Sequence, residues 1–252
     1  MDDLLRATAR AEAKHFWFRG FRQFVTPLLR EATKGISAAR LLDCGCGTGA
    51  NLELLGRFGR AYGFDLTAAG LAIGRQMGRT RMARASVAAA PFPSNAFDVV
   101  TMFDVLYSLE KPVEHAAVAE MFRLVKTGGF AIVNAAAMES LRGDHSAFSN
   151  ELRRYSRDSL NRLIAGAGFE VIRLTYTNAA IFIPLATVRA VQRWRGLQPK
   201  PSEISVPSAP INAALSAALM VESWWLRLVD NPFGSSLLCL ARKPATTGTN
   251  KS

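Results

Sequence analysis

The chain contains 252 residues, 49% of them hydrophobic, and its 31 basic against 20 acidic side chains give a formal net charge of +11. This length suits one large α/β domain with an appended segment and argues against two independent domains. Three cysteines are too few for a disulfide framework, and the single residue between Cys44 and Cys46 is too short a spacing for a zinc site.

The N-terminal segment, residues 1–36, is predicted to form a helical cap. Apolar residues recur at helical spacing in two stretches, from Leu5 to Ala13 and from Phe21 to Leu29. The aromatic and basic cluster His15-Phe16-Trp17-Phe18-Arg19 lies between them. Because the first residues are charged and no apolar core follows them, we expect no secretory signal.

Strands and helices then alternate along the chain. Strands are predicted at residues 40–43, 61–65, 80–87, 97–104 and 130–135, and helices at residues 50–58, 67–77 and 112–124. The last of these helices is expected to end near Lys126 to Gly129, where a glycine takes the left-handed cap conformation. This alternation predicts a parallel sheet with helices on both faces and ligands beyond the carboxyl ends of its strands.

The alternation ends after the fifth strand. Residues 136–150 are polar and irregular, and a helix at residues 157–167 and a strand at 169–175 follow. A final strand is predicted at 235–241 before a flexible tail, residues 244–252.

The intervening residues 179–234 hold two strongly apolar stretches, 179–194 and 211–229. The first stretch ends in a basic segment with a tryptophan, which suits a helix in a membrane interface. The second is a poor membrane span, because Glu222 and Arg227 interrupt it. Three interpretations of this insertion stay open: a lid over an apolar substrate, a contact with a membrane surface, and a homodimer surface.

Glycine recurs at alternate positions in the loop after the first predicted strand. Gly45, Gly47 and Gly49 allow the strand to turn into a helix while the backbone approaches a ligand. The spacing also fits a dinucleotide fingerprint, since Ala50 fills its last place, so the glycines alone leave an NAD(P)-dependent oxidoreductase open. Two features favour methyl transfer instead: Asp43, because a dinucleotide-binding strand is usually apolar at that position, and the third glycine, Gly49, at the next alternate place.

The segment Leu41 to Gly49 reads Leu-Leu-Asp-Cys-Gly-Cys-Gly-Thr-Gly and resembles the first motif of the class I S-adenosylmethionine-dependent methyltransferases, type 11 group. The segment Pro91 to Val100 resembles the part of that family that leads into the fourth strand. The resemblance implies a Rossmann-like doubly wound α/β sheet of about seven strands, mostly parallel with an antiparallel last strand. It also implies S-adenosyl-L-methionine as the cofactor, S-adenosyl-L-homocysteine as the product, and no metal.

The resemblance further implies which residues bind the cofactor. Asp65 ends the second strand, where a carboxylate accepts hydrogen bonds from the ribose hydroxyls. Ser86 replaces the acid that often binds adenine in the family, and the Phe103 carbonyl is expected to face the methionine ammonium. The full predicted set is Asp43, Gly45, Cys46, Gly47, Thr48, Gly49, Asp65, Leu66, Ser86, Val87 and Phe103.

The acceptor side resembles a subset of the family with a His-x-Trp-Phe motif and a later Arg-Arg-Tyr-Ser run. Ser108 replaces the histidine common after the fourth strand, so His145 is the candidate catalytic base. The predicted substrate pocket comprises His15, Trp17, Phe18, Arg19, Tyr107, Arg154 and Tyr155. Residues Arg153 to Tyr155 fit a packing element at a helix start equally well.

These features predict methyl transfer from S-adenosylmethionine to an oxygen or nitrogen atom of a small, apolar or lipid-linked acceptor. The predicted core comprises residues 37–178 and 235–243. The alternatives are a basic membrane- or RNA-binding protein on a methyltransferase-like fold, which the net charge of +11 favours, and the oxidoreductase. Nucleic acid is not the expected partner. A cytoplasmic location is expected, with peripheral contact with an anionic membrane and homodimerisation left open.

Overall fold

A computed structural model describes residues 12, 14–138, 151–182, 187 and 206–245. Its helices are α1 (Phe16–Ala32), α2 (Asn51–Leu55), α3 (Ala68–Gln76), α4 (Lys111–Leu124), α5 (Arg157–Gly166) and α6 (Ala209–Trp225), with a 3-10 turn at Leu106–Ser108. Its strands are β1 (Arg40–Cys44), β2 (Arg60–Asp65), β3 (Met82–Arg84), β4 (Phe97–Phe103), β5 (Val125–Ala136), β6 (Glu170–Thr177) and β7 (Ser236–Arg242). Most of the stretch from Leu5 to Ala13, His145 and most of the tail lie outside the described residues.

The seven strands form one sheet in the order β3-β2-β1-β4-β5-β7-β6. The pairs on the β3 side of β5 are parallel, whereas β7 runs antiparallel to both β5 and β6. Strand order reverses between β1 and β4, which is where a doubly wound sheet opens a crevice for a ligand. The predicted α/β fold, with an antiparallel last strand, is confirmed.

The sheet is covered on both faces because its central strands are apolar on both. Leu42 and Val100 face one layer, in which α4 and α5 supply Met121 and Leu160. Their sequence neighbours point to the other layer, since side chains alternate along a strand. That second layer draws on α1, α2 and α6, and its buried residues include Leu41, Val99, Val25, Leu55 and Leu219.

The junction of α4 and β5 differs from the prediction. The helix ends at Leu124 and the strand begins at once at Val125, five residues before the predicted start at Phe130. Gly128 does have a left-handed φ of +78°, but inside the strand rather than at a helix cap. The physical reason is pairing: the Gly128 N–H donates to the Lys243 carbonyl at 2.9 Å, beyond the end of β7.

The N-terminal helix packs directly on α6. The Phe16 N–H donates to Asn212 Oδ1 at 2.9 Å, and Asn212 Nδ2 donates to the Lys14 carbonyl at 2.9 Å. One turn further on, Gly20 is so close to Leu219 that an added Cβ would lie 2.4 Å from Leu219 Cδ1. Two segments far apart in sequence therefore share one helical layer, while the predicted domain boundaries stay a prediction.

Glu222 explains how a charged residue fits in the apolar helix α6. Its carboxylate is buried and accepts hydrogen bonds from the Ala179 and Ala180 N–H groups and from Asn231 Nδ2, each at 2.9 Å. Burial raises the pKa of Glu222, and these donors partly counteract it. The carboxylate ties α6 to the segment that follows β6, so its role here is structural.

Candidate functional site

Three neighbouring parallel strands bring aspartates to the same edge of the sheet. Asp43 is the next-to-last residue of β1, Asp65 ends β2 and Asp104 follows β4. Because β1 lies between β2 and β4, the three carboxylates share the crevice where the strand order reverses. Ligands of doubly wound sheets bind at this edge.

The glycine loop turns at this edge through three left-handed residues. Gly45, Gly47 and Gly49 have φ values of +78°, +54° and +76°. At Gly45 an added Cβ would lie 2.5 Å from Val105 Cγ2, and at Gly49 one would lie 2.5 Å from Met82 Sδ. At Gly47 an added Cβ would meet no described atom within 4 Å. Two glycines are therefore required by protein packing, whereas Gly47 borders open space.

Asp65 fixes the loop from the neighbouring strand. Its Oδ2 accepts from the Gly47 N–H at 2.8 Å, and its Oδ1 accepts from the Thr67 N–H at 2.7 Å. An ionised carboxylate has about four lone-pair positions, so both oxygens retain acceptor capacity toward a ligand. Leu66, the next residue, is 63% exposed at the same place.

Asp43 is buried in the floor of the loop. Thr101 Oγ1 donates to its Oδ1 at 2.7 Å, while Oδ2 is buried with no hydrogen-bond partner of normal geometry among the described residues. Desolvation raises the pKa of the Asp43 carboxyl to about 7, against the hydrogen bonds from the side chains of Thr101 and Asn51 and with a further contribution from the charge of Asp65. An unpartnered buried carboxylate oxygen costs stability and marks a functional site.

Asp104 has a strained backbone conformation. Its φ of +57° lies in the left-handed region, which non-glycine residues occupy at a cost of about 1 kcal/mol or more. Asp104 is exposed as a whole residue, yet the surrounding protein desolvates its carboxyl and raises the pKa of that group to about 6. The hydrogen bond from Asn134 acts in the opposite direction, and the negative charge of Glu151 adds to the rise.

Two charged residues that sequence reasoning missed lie over the glycine loop. Arg79 Nη1 donates to the Thr48 carbonyl at 3.1 Å, and Arg79 Nη2 pairs with Glu53 at 2.8 Å. Glu12 faces the hydroxyl of Thr48, and burial raises its pKa although Arg79 and Arg22 lower it. Neither residue has a local signal in the sequence, because their contacts with Thr48 join distant parts of the chain.

The remaining predicted cofactor residues lie around the same edge. Ser86 and Val87 follow β3 and are half-buried. Ser86 Oγ accepts from the Ala88 N–H at 3.3 Å, within a local turn. Cys46 is buried, its N–H donates to the Phe64 carbonyl at 3.0 Å, and burial raises the pKa of its thiol. Phe103 ends β4 with its ring 5.0 Å from that of Phe21 in α1.

The aromatic cluster at the start of α1 is organised by a helix cap. His15 is the N-cap residue, and its Nδ1 accepts from the Trp17 N–H at 3.2 Å. Its ring stacks on Phe16 at 4.5 Å and meets Phe18 edge-on at 6.0 Å. Trp17 packs partly buried against the core layer of α1, and Arg19 is exposed. These positions explain how the cluster folds, and its place in a substrate pocket stays a prediction.

The residues after β5 that were predicted to contact the methyl acceptor form a polar network, which is joined to the backbone of Tyr107. The Tyr155 hydroxyl donates to Glu114, which also pairs with Arg153 Nη1 at 3.1 Å. Arg154 pairs with Glu151 and donates to the Ala137 carbonyl at 3.1 Å. The Tyr107 carbonyl accepts from the Leu152 N–H at 2.8 Å, which joins this network to the loop after β4.

The candidates for a general base or a metal ligand are the histidines, Tyr107 and any cluster of acidic or sulfur-bearing side chains. His145 lies outside the described residues, and His115 is exposed on α4, where its Nδ1 contacts the Lys111 carbonyl at 2.8 Å. Burial and the charge of Asp104 raise the pKa of Tyr107, so its hydroxyl stays protonated. Among the described residues no group of three or more His, Cys, Asp or Glu side chains could hold a metal ion.

Comparison with known proteins agrees with this arrangement. Residues 42–133 match the family model described as a methyltransferase domain. A demethylmenaquinone methyltransferase of Geobacillus sp. (strain WCH70) is 31% identical over 114 residues, covering 41% of this chain and 48% of that protein. A 2-phytyl-1,4-naphtoquinone methyltransferase of Thermosynechococcus vestitus is 38% identical over 104 residues, covering 38% and 45%. The chain thus spans about half the length of the curated relatives it matches.

Solved structures share the fold at lower identity. A geranyl diphosphate methyltransferase in complex with GPP and sinefungin is 16% identical and superposes with a TM-score of 0.57. The match covers 86% of this chain and 77% of that one. At this identity the likeness concerns the fold alone. Its coverage of 86% extends well beyond residues 42–133.

Proposed function

We propose that the protein transfers a methyl group from S-adenosylmethionine to an oxygen or nitrogen atom of a small apolar acceptor, because residues 42–133 match the family model described as a methyltransferase domain. The observation that carries the proposal is the surroundings of Gly47. This left-handed glycine borders open space and is held by Asp65. Asp43 lies close enough to Asp65 for their charges to interact.

The described residues fit the cofactor in charge. S-adenosylmethionine carries two positive groups, and the crevice presents the carboxylates of Asp43, Asp65 and Asp104. Asp43 is buried beneath the glycine loop, so its charge would act on the cofactor through the loop rather than by direct contact. Asp65 is proposed to accept the ribose hydroxyls, and Ser86 and Val87 to border the adenine. A nicotinamide dinucleotide is not favoured, because the matched family is a methyltransferase family.

When bound, the cofactor supplies a methyl group that its sulfonium has already activated for in-line displacement. The protein then has to position the acceptor, exclude water and remove a proton where the acceptor carries one. Asp104 suits the last task, since it borders the crevice and a carboxyl with a pKa of about 6 is mainly ionised at neutral pH. His145 remains the other candidate base.

The acceptor is proposed to be small, aromatic or polyprenyl-linked, and apolar. Two relatives are named a demethylmenaquinone methyltransferase and a 2-phytyl-1,4-naphtoquinone methyltransferase, and these names support a quinone-like acceptor here. The aromatic residues Trp17, Phe18 and Tyr107 would line a pocket for such a ring, with Arg154 and Tyr155 behind it. Cation–π contact of these rings with the sulfonium would contribute about 0.5–2 kcal/mol.

The partners and location follow from the same proposal. We propose a cytoplasmic protein that meets its acceptor at a membrane surface and has no nucleic-acid partner. None of the helices in the described part of the chain is long and apolar enough to cross a membrane. A homodimer through residues 179–234 is the competing use of the apolar insertion.

Isothermal titration with S-adenosylhomocysteine tests the proposal directly, with NADH as the comparison ligand. We expect S-adenosylhomocysteine to bind and NADH not to bind, and Asp65→Ala to weaken the first affinity by about tenfold or more. Isotope-labelled methyl transfer to reduced short-chain naphthoquinones then tests the acceptor class. Binding of NADH without binding of S-adenosylhomocysteine would refute methyl transfer.

The net charge of +11 supports one other candidate, a binding protein that keeps a methyltransferase-like fold. Such a protein would bind RNA with an affinity that falls steeply with salt, because phosphate contacts release counterions. A gel-shift titration at two salt concentrations separates the two. Tight salt-sensitive RNA binding without S-adenosylhomocysteine binding would favour the binding protein.

A further inference from the structure

Helix α6 is apolar on the side that faces away from the protein. Its core side follows helical spacing through Ser216, Leu219, Glu222 and Ser223, all of which are buried. The opposite side exposes Ala213, Ala214, Ala217, Met220, Val221, Trp224 and Trp225. The usual amphipathic pattern is therefore reversed, since the charged and hydroxyl-bearing residues point inward.

The exposed apolar residues are concentrated at the C-terminal end of this helix. We define the α6 patch as Val221, Trp224, Trp225, Leu228 and Val229, which are 60%, 55%, 54%, 83% and 47% exposed. Val221, Trp224 and Trp225 share one face of the helix at positions i, i+3 and i+4. Leu228 lies in the turn that follows the helix, where its N–H donates to the Trp225 carbonyl at 2.9 Å and continues the stripe. Single exposed apolar residues are common, but a contiguous stripe with two tryptophans marks an interaction surface.

The charges around the patch favour an anionic partner. Glu222 is the one acidic residue between positions 206 and 229, and it is buried with donors on both oxygens. Asp230, the next acid, pairs with Arg173 at 2.8 Å. Exposed basic residues stand at both ends of the helix: Arg227 beside the patch and Lys14, whose carbonyl accepts from Asn212. The whole chain carries a net charge of +11.

We propose that the α6 patch docks on the interface of an anionic lipid bilayer. Tryptophan suits this position because its ring is apolar while its N–H still reaches the polar headgroups. The absence of an exposed acid within residues 206–229 avoids repulsion from anionic headgroups, and the basic residues add attraction. Apolar burial and electrostatic attraction together give reversible interfacial binding.

The patch is connected to the proposed active site. Helix α6 packs on α1, and Phe21 of α1 contacts Phe103 at the end of β4 with their ring centroids 5.0 Å apart. The patch thus lies on a helix of the same layer that packs against the end of β4, and we propose that an apolar acceptor passes from the bilayer at α6 to the carboxyl edge of the sheet. This part of the inference rests on the proposed function, whereas lipid binding itself does not.

Vesicle co-sedimentation tests the inference with the full chain. The probes are vesicles of phosphatidylcholine with one quarter phosphatidylglycerol, and vesicles of phosphatidylcholine alone. Wild-type protein should bind the anionic vesicles more strongly, and the double variant Trp224→Ser/Trp225→Ser should bind them at least about tenfold more weakly. Ile172→Ser is the matched control, because Ile172 is also 44% exposed but lies on β6, and its vesicle binding should equal that of wild type.

The outcomes separate the lipid interface from its rivals. Equal vesicle binding by wild type and the tryptophan variant, or none by either, overturns the proposal. So does a wild-type dimer in analytical ultracentrifugation that the variant dissociates without loss of vesicle binding, because a second copy would then cover the patch. Titration of both proteins with S-adenosylhomocysteine reports on the proposed function separately, since the patch variant should bind it like wild type.

Discussion

Asp104 and Asn134 hold each other by two hydrogen bonds across β4 and β5. The Asp104 N–H donates to the Asn134 carbonyl at 3.0 Å, and Asn134 Nδ2 donates to Asp104 Oδ1 at 2.9 Å. The first bond fixes a backbone in the left-handed region, and the second orients the carboxylate. A strained residue held this firmly at the ligand edge is expected to serve function rather than stability.

Substitution of Asp104 should separate strain from activity. Asp104→Gly relieves the left-handed strain, so its free energy of unfolding should stay within about 0.5 kcal/mol of wild type, whereas Asp104→Ala should be about 1 kcal/mol less stable than the glycine variant. Both variants should lose methyl transfer by about a hundredfold if Asp104 is the base. Urea unfolding and initial rates measure the two effects. Full activity in the glycine variant would leave His145 as the candidate base.

Asp43 should make stability depend on pH. A carboxyl whose pKa rises from 3.8 in the unfolded chain to about 7 in the fold binds a proton in the folded state alone between those values. The free energy of unfolding should therefore fall as pH rises from about 4 to about 7 and level off above. Asp43→Asn removes this contribution. The difference in the free energy of unfolding, variant minus wild type, should therefore increase by about 2–4 kcal/mol from about pH 5 to about pH 8.

The same variant should bind the cofactor less well. The negative charge that costs stability in the empty crevice attracts the positive groups of S-adenosylmethionine, so we expect affinity and stability to change in opposite directions. Thermal melts at the two pH values, with titration at the higher one, check both. A stability difference that is independent of pH would show that Asp43 is ionised throughout.

Tyr155 should distinguish packing from substrate contact after β5. Tyr155→Phe removes the donor to the buried Glu114, which keeps Arg153 as its partner, and should cost about 1–2 kcal/mol. The affinity for S-adenosylhomocysteine should not change. Tyr176→Phe is the control, since its hydroxyl accepts only a long bond of 3.4 Å from the Arg157 N–H at the surface. Unchanged stability with a raised KM for the acceptor would instead place Tyr155 in the substrate pocket.

The sheet was predictable from sequence because its strands are short apolar runs separated by glycine and polar residues. The buried polar residues inside those runs were also visible. Thr101 interrupts the apolar run of β4 and Asn134 that of β5, and each proves to bond an aspartate of the crevice. A polar residue at a buried strand position needs a partner, so these two could have been selected as site residues.

Contacts between distant segments were not predictable. Nothing near Glu12 or Arg79 indicates that both meet Thr48, and nothing in the apolar stretch of α6 indicates which of its faces is buried. Helical spacing places Leu219 and Glu222 on one face and Val221 and Trp224 on another. From hydrophobicity alone, the face that carries the glutamate would not be expected to be the buried one. The backbone donors of Ala179 and Ala180 decide it, and they lie about forty residues away.

Gly47 and Gly35 form a matched pair that tests where the cofactor lies. Both have left-handed φ values, +54° and +78°, and at both an added Cβ would meet no described atom within 4 Å. Alanine at either position should therefore cost about 1 kcal/mol through backbone strain alone. Only Gly47→Ala should also weaken S-adenosylhomocysteine binding, by about tenfold or more, because its methyl group would occupy the space that we assign to the ligand beside Asp65. Chemical denaturation and calorimetric titration of the two variants measure stability and affinity separately. Equal affinities in Gly47→Ala and Gly35→Ala would mean that the cofactor does not approach the glycine loop, and the assignment of Asp65 to the ribose would fail with it.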